Sequence, residues 1–296
     1  MKQMLLNLLP PAMLASVVAF WAFAPAGILD AWWALPALGL AVVGFVQLSE
    51  LLAERHAGWR INRQELFTDL FYVALVYTVI GWITNTLVES PMIEAKQAFG
   101  IATPWLAGMP FLVQVAAVML LFEFGQYWMH RAMHNWHPLW LTHAPHHHIT
   151  QLNAMKGFVG NPIELFLISL SVVALFDFDK AALFAAFNAL GVIATFAHAN
   201  VRANPPIWYA FFFTTIRHHS LHHTALSYED TRCNYGNSVI LFDRLFGTFR
   251  DGESEIVGQD DRRRLSIREQ FLFPFQPWID RRFGAQNSAK SPDTVS

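Results

Sequence analysis

The sequence predicts an all-α, polytopic transmembrane protein with four to six spans and a histidine-rich helical cap on one side of the bilayer. Three observations predict it. Hydrophobic residues make up 54% of the chain and charged residues 14%, about half the charge a soluble domain needs to cover its surface. Six apolar stretches reach or approach the roughly 20 residues a spanning helix requires: 11–29, 32–53, 69–88, 108–129, 158–176 and 181–201. Twelve of the 13 histidines lie between His130 and His223.

The first stretch is too long for a signal peptide and lacks a small-residue cleavage pattern, so it is kept as a helix. The fifth and sixth are separated only by Asp177-Phe178-Asp179-Lys180 and form a hairpin, either two full spans or one re-entrant pair. With the N-terminus inside, the inner loops hold Lys2, Arg55, Arg60, Arg63, Arg131, Lys156, Arg202, Arg217 and the arginine-rich tail, and the outer loops hold Lys96 and Lys180. This asymmetry predicts that the histidines and the C-terminus are cytoplasmic. The cap then comprises residues 130–160 and 202–285. Two aromatic runs, Trp208–Ile216 and Phe271–Trp278, are too short to span and suit either the headgroup region or packing within the cap. The last dozen residues read as disordered.

A net charge of −2 gives no field that would attract nucleic acid. Cys233 is the only cysteine, which excludes an intrachain disulfide and thiolate metal or redox motifs. Any metal chemistry is therefore nitrogen and oxygen chemistry.

His130 and His134 are four residues apart and share one helix face. His143, His146 and His147 repeat that spacing, as do His219, His222 and His223. So many imidazoles crowded together are useless to an apolar core when neutral and mutually repulsive when charged. Bound metal removes that cost, because neutral imidazole is a common metal ligand. Eight or nine histidines exceed the needs of one ion and suit two ions with four to five ligands each. Imidazole accepts iron, zinc or copper, so ligand type leaves the metal open. His56, His137, His148 and His218 stand apart as capping or packing residues.

His-Arg-Ala-Met-His (130–134), His-Ala-Pro-His-His (143–147) and His-Ser-Leu-His-His (219–223) resemble, in order and spacing, the histidine boxes of the integral-membrane fatty acid hydroxylase and sterol desaturase superfamily. Asn234–Phe249 is similar to its NYG…WDRLFGT signature, with Phe242 in place of the usual Trp. The segment His198–Arg202 looks like its extra histidine element, and Asn153 matches the asparagine after the second box. Two departures are Glu123, where Asp is commoner, and Val159–Pro162, which lacks an expected arginine. The resemblance covers about residues 115–250.

It implies a non-haem di-iron oxygenase, with zinc able to replace iron in purified material. His130, His134, His143, His146, His147, His219, His222 and His223 become metal ligands, and His198 a ninth. No catalytic residue beyond these ligands is implied. Glu164, Glu229, Asp230 and Asp243 are candidates to accept the outer ring N–H groups, and for Asp243 a helix-end or ion-pair role beside Arg244 is the rival. The chain divides into N-terminal membrane helices (1–107), a catalytic unit (108–250) and a cytoplasmic tail (251–296). Substrate is a lipid such as a fatty acyl chain or sterol entering from the bilayer, and the oxidant is O2. With no dinucleotide fingerprint, haem motif or iron–sulfur cysteines in the sequence, the electrons come from a separate ferredoxin or cytochrome with its reductase. Desaturation by the same centre, a histidine-rich metal carrier and a structural metal protein are the alternatives.

Overall fold

The computed structural model describes residues 1–226, 229–259, 262–279 and 281. Among these the secondary structure is helical, and the only β contacts are isolated bridges at Glu54–Val201 and Thr224–Val257. Five helices are long and apolar enough to cross a membrane: α1 (Lys2–Ala22), α2 (Ala34–Leu52), α3 (Arg63–Ala98), α4 (Phe111–Asn135) and, counting on past two short helices, α7 (Lys180–His198). The intervening α5 (His137–His147) and α6 (Pro162–Ser169) are shorter, and α8 (Ile216–His222) and α9 (Leu241–Leu245) follow α7.

Several sequence-based boundaries move. The first span starts at Lys2, with Pro10 and Pro11 inside it, and stops at Ala22; Pro25 prevents the helix from running on to 29, because the residue before a proline avoids helical backbone. The third extends to 36 residues by absorbing π-helical turns at Val76–Ile80 and Asn85–Glu89. The 158–201 hairpin is unequal. Asn161 and Glu164 start α6 with a capping box, yet α6 is only eight residues long, about 12 Å of helix. Residues 170–179 return to α7 as irregular chain with one 3₁₀ turn. The first histidine box does not open a separate cap but lies on the last turns of α4.

α7 is the central post, packed against α1, α2, α4 and α8. Ala182, Ala185, Ala186 and Ala189 are fully buried at helical spacing, and small side chains let helix backbones approach closely where lipid supplies no hydrophobic driving force. Trp21 Nε1 donates to Asn188 Oδ1 at 2.8 Å, satisfying a polar pair inside this packing. The outer helices keep most of their apolar surface outward: Leu5, Leu48, Leu51, Phe67, Trp82, Leu87 and Leu112 are all exposed, as expected of side chains facing lipid.

Polar contacts gather at two ends. At one, Asp177 pairs with Lys96 and accepts from the Thr103 N–H at 2.6 Å, Gln114 donates to Asp179 at 3.0 Å, and Lys180 meets Asp30 at 3.1 Å. At the other, Gln3 donates to the Arg202 carbonyl at 3.0 Å, and Arg55 and His56 pair with Glu253. Every histidine box is at this second end. Lys156, counted above as a loop charge, is instead 1% exposed and ion-paired to Glu65 and Asp69, while Arg264 also pairs with Glu65.

Candidate metal centre

All nine histidines expected as ligands converge, in two groups. His130, His134, His143, His147 and His222 form one, and His146, His198, His219 and His223 the other. Within each group the ligand atoms lie within 4.8 Å of one another, and every ring is buried. Helical spacing explains the assortment. His143 and His147 are one turn apart and face the first group, while His146 lies a quarter-turn round α5 and faces the second. On α8, His219 and His223 face one way and His222 the other.

Ring orientation is imposed from behind. His130 Nδ1 donates to the Tyr235 carbonyl, His146 Nδ1 to Val159 and His222 Nδ1 to Cys233, each at 2.7 Å, and His198 Nδ1 to Ala194 at 2.9 Å. A carbonyl can only accept, so each of these rings carries its proton on Nδ1 and turns an Nε2 lone pair inward. His143 Nδ1 reaches Glu164 Oε1 at 2.6 Å.

The inward atoms then meet: His143 Nε2 lies 3.0 Å from His130 Nε2, 3.1 Å from His134 Nε2 and 3.0 Å from His147 Nε2. His198 and His219 meet at 2.8 Å, and His219 and His223 at 3.1 Å. His222 Nε2 is buried with no partner at all. Burial pushes His143 down to about 3, and His147, His219, His222 and His223 are driven well below the usual histidine range by burial and by one another. Neutral rings with facing lone pairs fit a cation and little else.

The Asn-Tyr-Gly signature builds the back wall. Asn234 adopts a left-handed φ of 52°, tolerable for asparagine, and its side chain donates to the His218 and Arg250 carbonyls, both at 2.9 Å. The turn presents the Cys233 and Tyr235 carbonyls to His222 and His130. A Cβ on Gly236 would lie 2.6 Å from the Val239 carbonyl, so only glycine fits. Asp243 accepts from the Tyr235 and Gly236 N–H groups at 2.8 and 2.7 Å and from Thr248 at 2.6 Å. It thus touches no histidine and is not paired with Arg244, which donates to the Phe211 and Ala210 carbonyls. Glu123 accepts from the Ser238 N–H at 3.0 Å, holding the same loop.

Of the four carboxylates expected behind the ligands, Glu164 sits on a ring nitrogen, His143 Nδ1. Asp230 lies 3.5 Å from Arg250 at the surface, and the Glu229 side chain is outside the described residues. The Val159–Pro162 segment serves the site through backbone: Val159 receives His146, and Gly160 leaves the room that Glu164 occupies, since a Cβ there would sit 2.3 Å from Glu164 Oε2. His56 bonds Glu253 at 2.8 Å, His148 packs on Phe273 and His218 lies 3.6 Å from Asp251; with His137 they stay outside both groups. Sequence reasoning missed the Lys156–Glu65–Asp69 cluster, although Glu65 and Asp69, four apart at the start of an apolar helix, signalled a buried partner.

A fatty acid hydroxylase family model matches residues 115–248. The chain is 28% identical over 227 residues to an ornithine lipid hydroxylase of Rhizobium tropici, covering 72% of this chain and 66% of that one. It is 30% identical over 162 residues to a Delta(7)-sterol-C5(6)-desaturase of Nicotiana tabacum (51% and 54%) and 26% identical over 137 residues to the human alkylglycerol monooxygenase (46% and 30%). It thus spans less than two thirds of the length of each of these relatives. No solved structure matches the chain. The family match lies over the three histidine boxes and the loop that orients them, so residues 115–248 form a fatty acid hydroxylase-like region, in a chain similar to lipid hydroxylases and sterol desaturases.

Proposed function

We propose that this protein is a membrane-bound oxygenase that hydroxylates a C–H bond of a lipid, consuming O2 and two external electrons, with the histidine boxes and C-terminus in the cytoplasm. The observation that carries it is the pair of adjacent, buried, all-imidazole clusters at the end of an apolar helix bundle. His130, His134, His143, His147 and His222 would hold one iron, and His146, His198, His219 and His223 the other. Bound iron supplies the redox chemistry for activating O2 against an unactivated C–H bond. The protein's own share is to fix each ring by an outer N–H bond, to keep bulk water out, and to admit lipid laterally. An all-imidazole set adds no negative charge, which keeps the bound ions electrophilic. Residues 108–250 act as the catalytic unit on the support of 1–107, with 251–296 as a cytoplasmic tail. A ferredoxin or cytochrome with its reductase delivers the electrons.

Desaturation is the second reading, favoured by the similarity to a chain named as a sterol desaturase. Comparative lipidomics of cells carrying the protein or its His146→Ala variant separates the two: hydroxylation adds one oxygen to a lipid, desaturation removes two hydrogens, and the variant does neither. Elemental analysis of active protein should find close to two metal ions per chain. Unchanged lipids in cells whose protein carries both irons would overturn the enzymatic reading, and one ion or none in active protein would overturn the two-metal reading.

A further inference from the structure

A column of phenol and indole rings stands behind the first histidine group. The Tyr235 ring centre lies 5.5 Å from that of His134, 5.8 Å from His130 and 6.1 Å from His222. Tyr127, about a turn before His130 on α4, follows at 6.0 Å from Tyr235, and Trp128 at 5.4 Å from Tyr127. Both phenols are buried, whereas Trp128 is 42% exposed. Rings this close pass an electron readily, so the column joins the histidine group to the surface through oxidisable side chains.

Packing alone would need only the rings, but the Tyr127 hydroxyl is itself placed. Arg131 donates to it at 3.1 Å, and it lies 2.9 Å from Thr248 Oγ1, which donates to Asp243 Oδ1 at 2.6 Å. Arg131 can only donate and the Thr248 proton is given to Asp243, so the Tyr127 O–H donates to Thr248. One hydroxyl thus links the phenol to a buried carboxylate, with each step inside proton-transfer reach. Burial raises the Asp243 pKa above the ordinary aspartate value, which makes it a better proton acceptor. That matters because a buried phenol is oxidised easily only when its proton leaves with the electron; a charged radical cation is strongly disfavoured there. Arg131 also lies 5.3 Å over the Trp128 ring, and its charge opposes a positive hole on the indole. A hole in this column therefore settles on Tyr127.

Resting on the oxygenase reading above, we propose that Tyr127 is a redox-active residue that discharges the centre when O2 has oxidised it and no C–H bond is in reach. One electron leaves the Tyr127 phenol for the oxidised centre through the Tyr235 ring. The phenolic proton passes to Thr248 Oγ1 as the Thr248 proton passes to Asp243 Oδ1. The products are a neutral tyrosyl radical, a neutral Asp243 carboxyl and a centre reduced by one electron. The external electron donor restores the phenol by way of Trp128, and Asp243 returns the proton along the same chain. Misfired turnovers then end on a recoverable side chain instead of on the clustered histidines.

Two arms test this in the full chain in lipid nanodiscs. In the first the protein is loaded with zinc, which has no redox chemistry, and a ruthenium polypyridyl photosensitiser is attached to Leu245→Cys in a Cys233→Ser background. Leu245 is 70% exposed and adjoins Phe246, whose ring packs on Tyr127 and Trp128 at 5.3 and 5.1 Å. Flash oxidation with a sacrificial quencher should give a tyrosyl EPR signal that forms more slowly in D2O. Tyr127→Phe should abolish the signal with zinc content unchanged, and Thr248→Val should remove most of the yield and the isotope effect. If valine costs the loop its zinc, the isotope effect in the wild type decides the proton step. Absence of the signal, its survival in Tyr127→Phe or a wild-type rate indifferent to D2O would each overturn the inference. In the second arm the protein is loaded with iron, reduced with dithionite, mixed with O2 and frozen within a turnover. The same signal should appear, vanish in Tyr127→Phe and persist in Trp140→Phe, whose native ring also packs on His134, at 5.2 Å. O2 consumption without a Tyr127 signal, or a signal that needs Trp140, overturns the inference alone. No O2 consumption overturns the oxygenase reading and the inference with it.

Discussion

Glu164 illustrates how much of the candidate metal site lies one bond behind the histidines that form it. Its Oε1 holds His143 Nδ1 at 2.6 Å while Oε2 accepts the Asn161 N–H at 3.2 Å, so one carboxyl fixes both a ligand ring and the start of α6. Replacing such an outer partner costs about 10–100-fold in metal affinity. Glu164→Gln should weaken metal retention by that factor in chelator competition while the helix content stays unchanged; wild-type affinity in the variant would show that the contact does not orient the ring. A proposed ligand behaves differently. His222→Ala should lose an ion outright, because His222 Nε2 has no other partner, and His56→Ala should lose none, because His56 serves Glu253. Metal-to-protein ratios of the two variants decide whether clustering identifies ligands.

At the scale of elements, two charged clamps hold the loops at the histidine end to the helices. Lys156 joins the loop before α6 to Glu65 and Asp69 on the first turns of α3, with Asn153 donating to Asp69 at 2.8 Å. Removing the cation leaves buried Asp69 without a charge partner and Glu65 with Arg264 alone, a loss of about 3–5 kcal/mol, so Lys156→Met should lower the unfolding midpoint in detergent substantially; an unchanged midpoint would mean that Asp69 finds water. The second clamp is Glu253. Burial raises its pKa, but hydrogen bonds from Arg55 and His56 outweigh burial and hold it at about 2. A carboxyl depressed on folding stabilises above its unfolded pKa, about 4.3, and that contribution disappears as pH falls through the folded value. The clamp contributes on the order of 1–3 kcal/mol at neutral pH. The Tm difference between wild type and Glu253→Gln should therefore be largest near neutrality and close progressively between about pH 4.5 and 2. A gap independent of pH would remove the ion pair as its cause.

Among the described residues the chain passes between its two polar ends six times, by five long helices and by the broken segment from α6 to residue 179. Two of these passages separate the second and third boxes, which therefore lie at one end. From the arginines at the histidine end we propose that this end faces the cytoplasm. With Cys233 replaced by serine, a cysteine at Glu94 should react with an impermeant reagent from outside intact cells, while cysteines at His137 and Glu255 react only after permeabilisation. Labelling of His137→Cys from outside would reverse the topology and place the electron supply on the wrong side.

Composition, apolar run length and the spacing of histidines are local properties of the chain. They determined the helical membrane class, the same-side placement of the boxes and all nine convergent histidines, because a helix turns residues three and four apart to one face whatever surrounds it. The division into groups of five and four is not local. His143, His146 and His147 share one box, but a quarter-turn of α5 sends the middle one to α7 and α8, and only the packing of those helices gives it partners. The same holds for the carbonyls of Val159, Cys233 and Tyr235, which any residue could supply, and for Lys156, whose apparent surface charge becomes a buried clamp once α3 folds beside it. Tertiary structure alone decided the chain from Tyr127 through Thr248 to Asp243, since Tyr127 and Thr248 are 121 residues apart in sequence and meet only once α4 and the signature loop have packed.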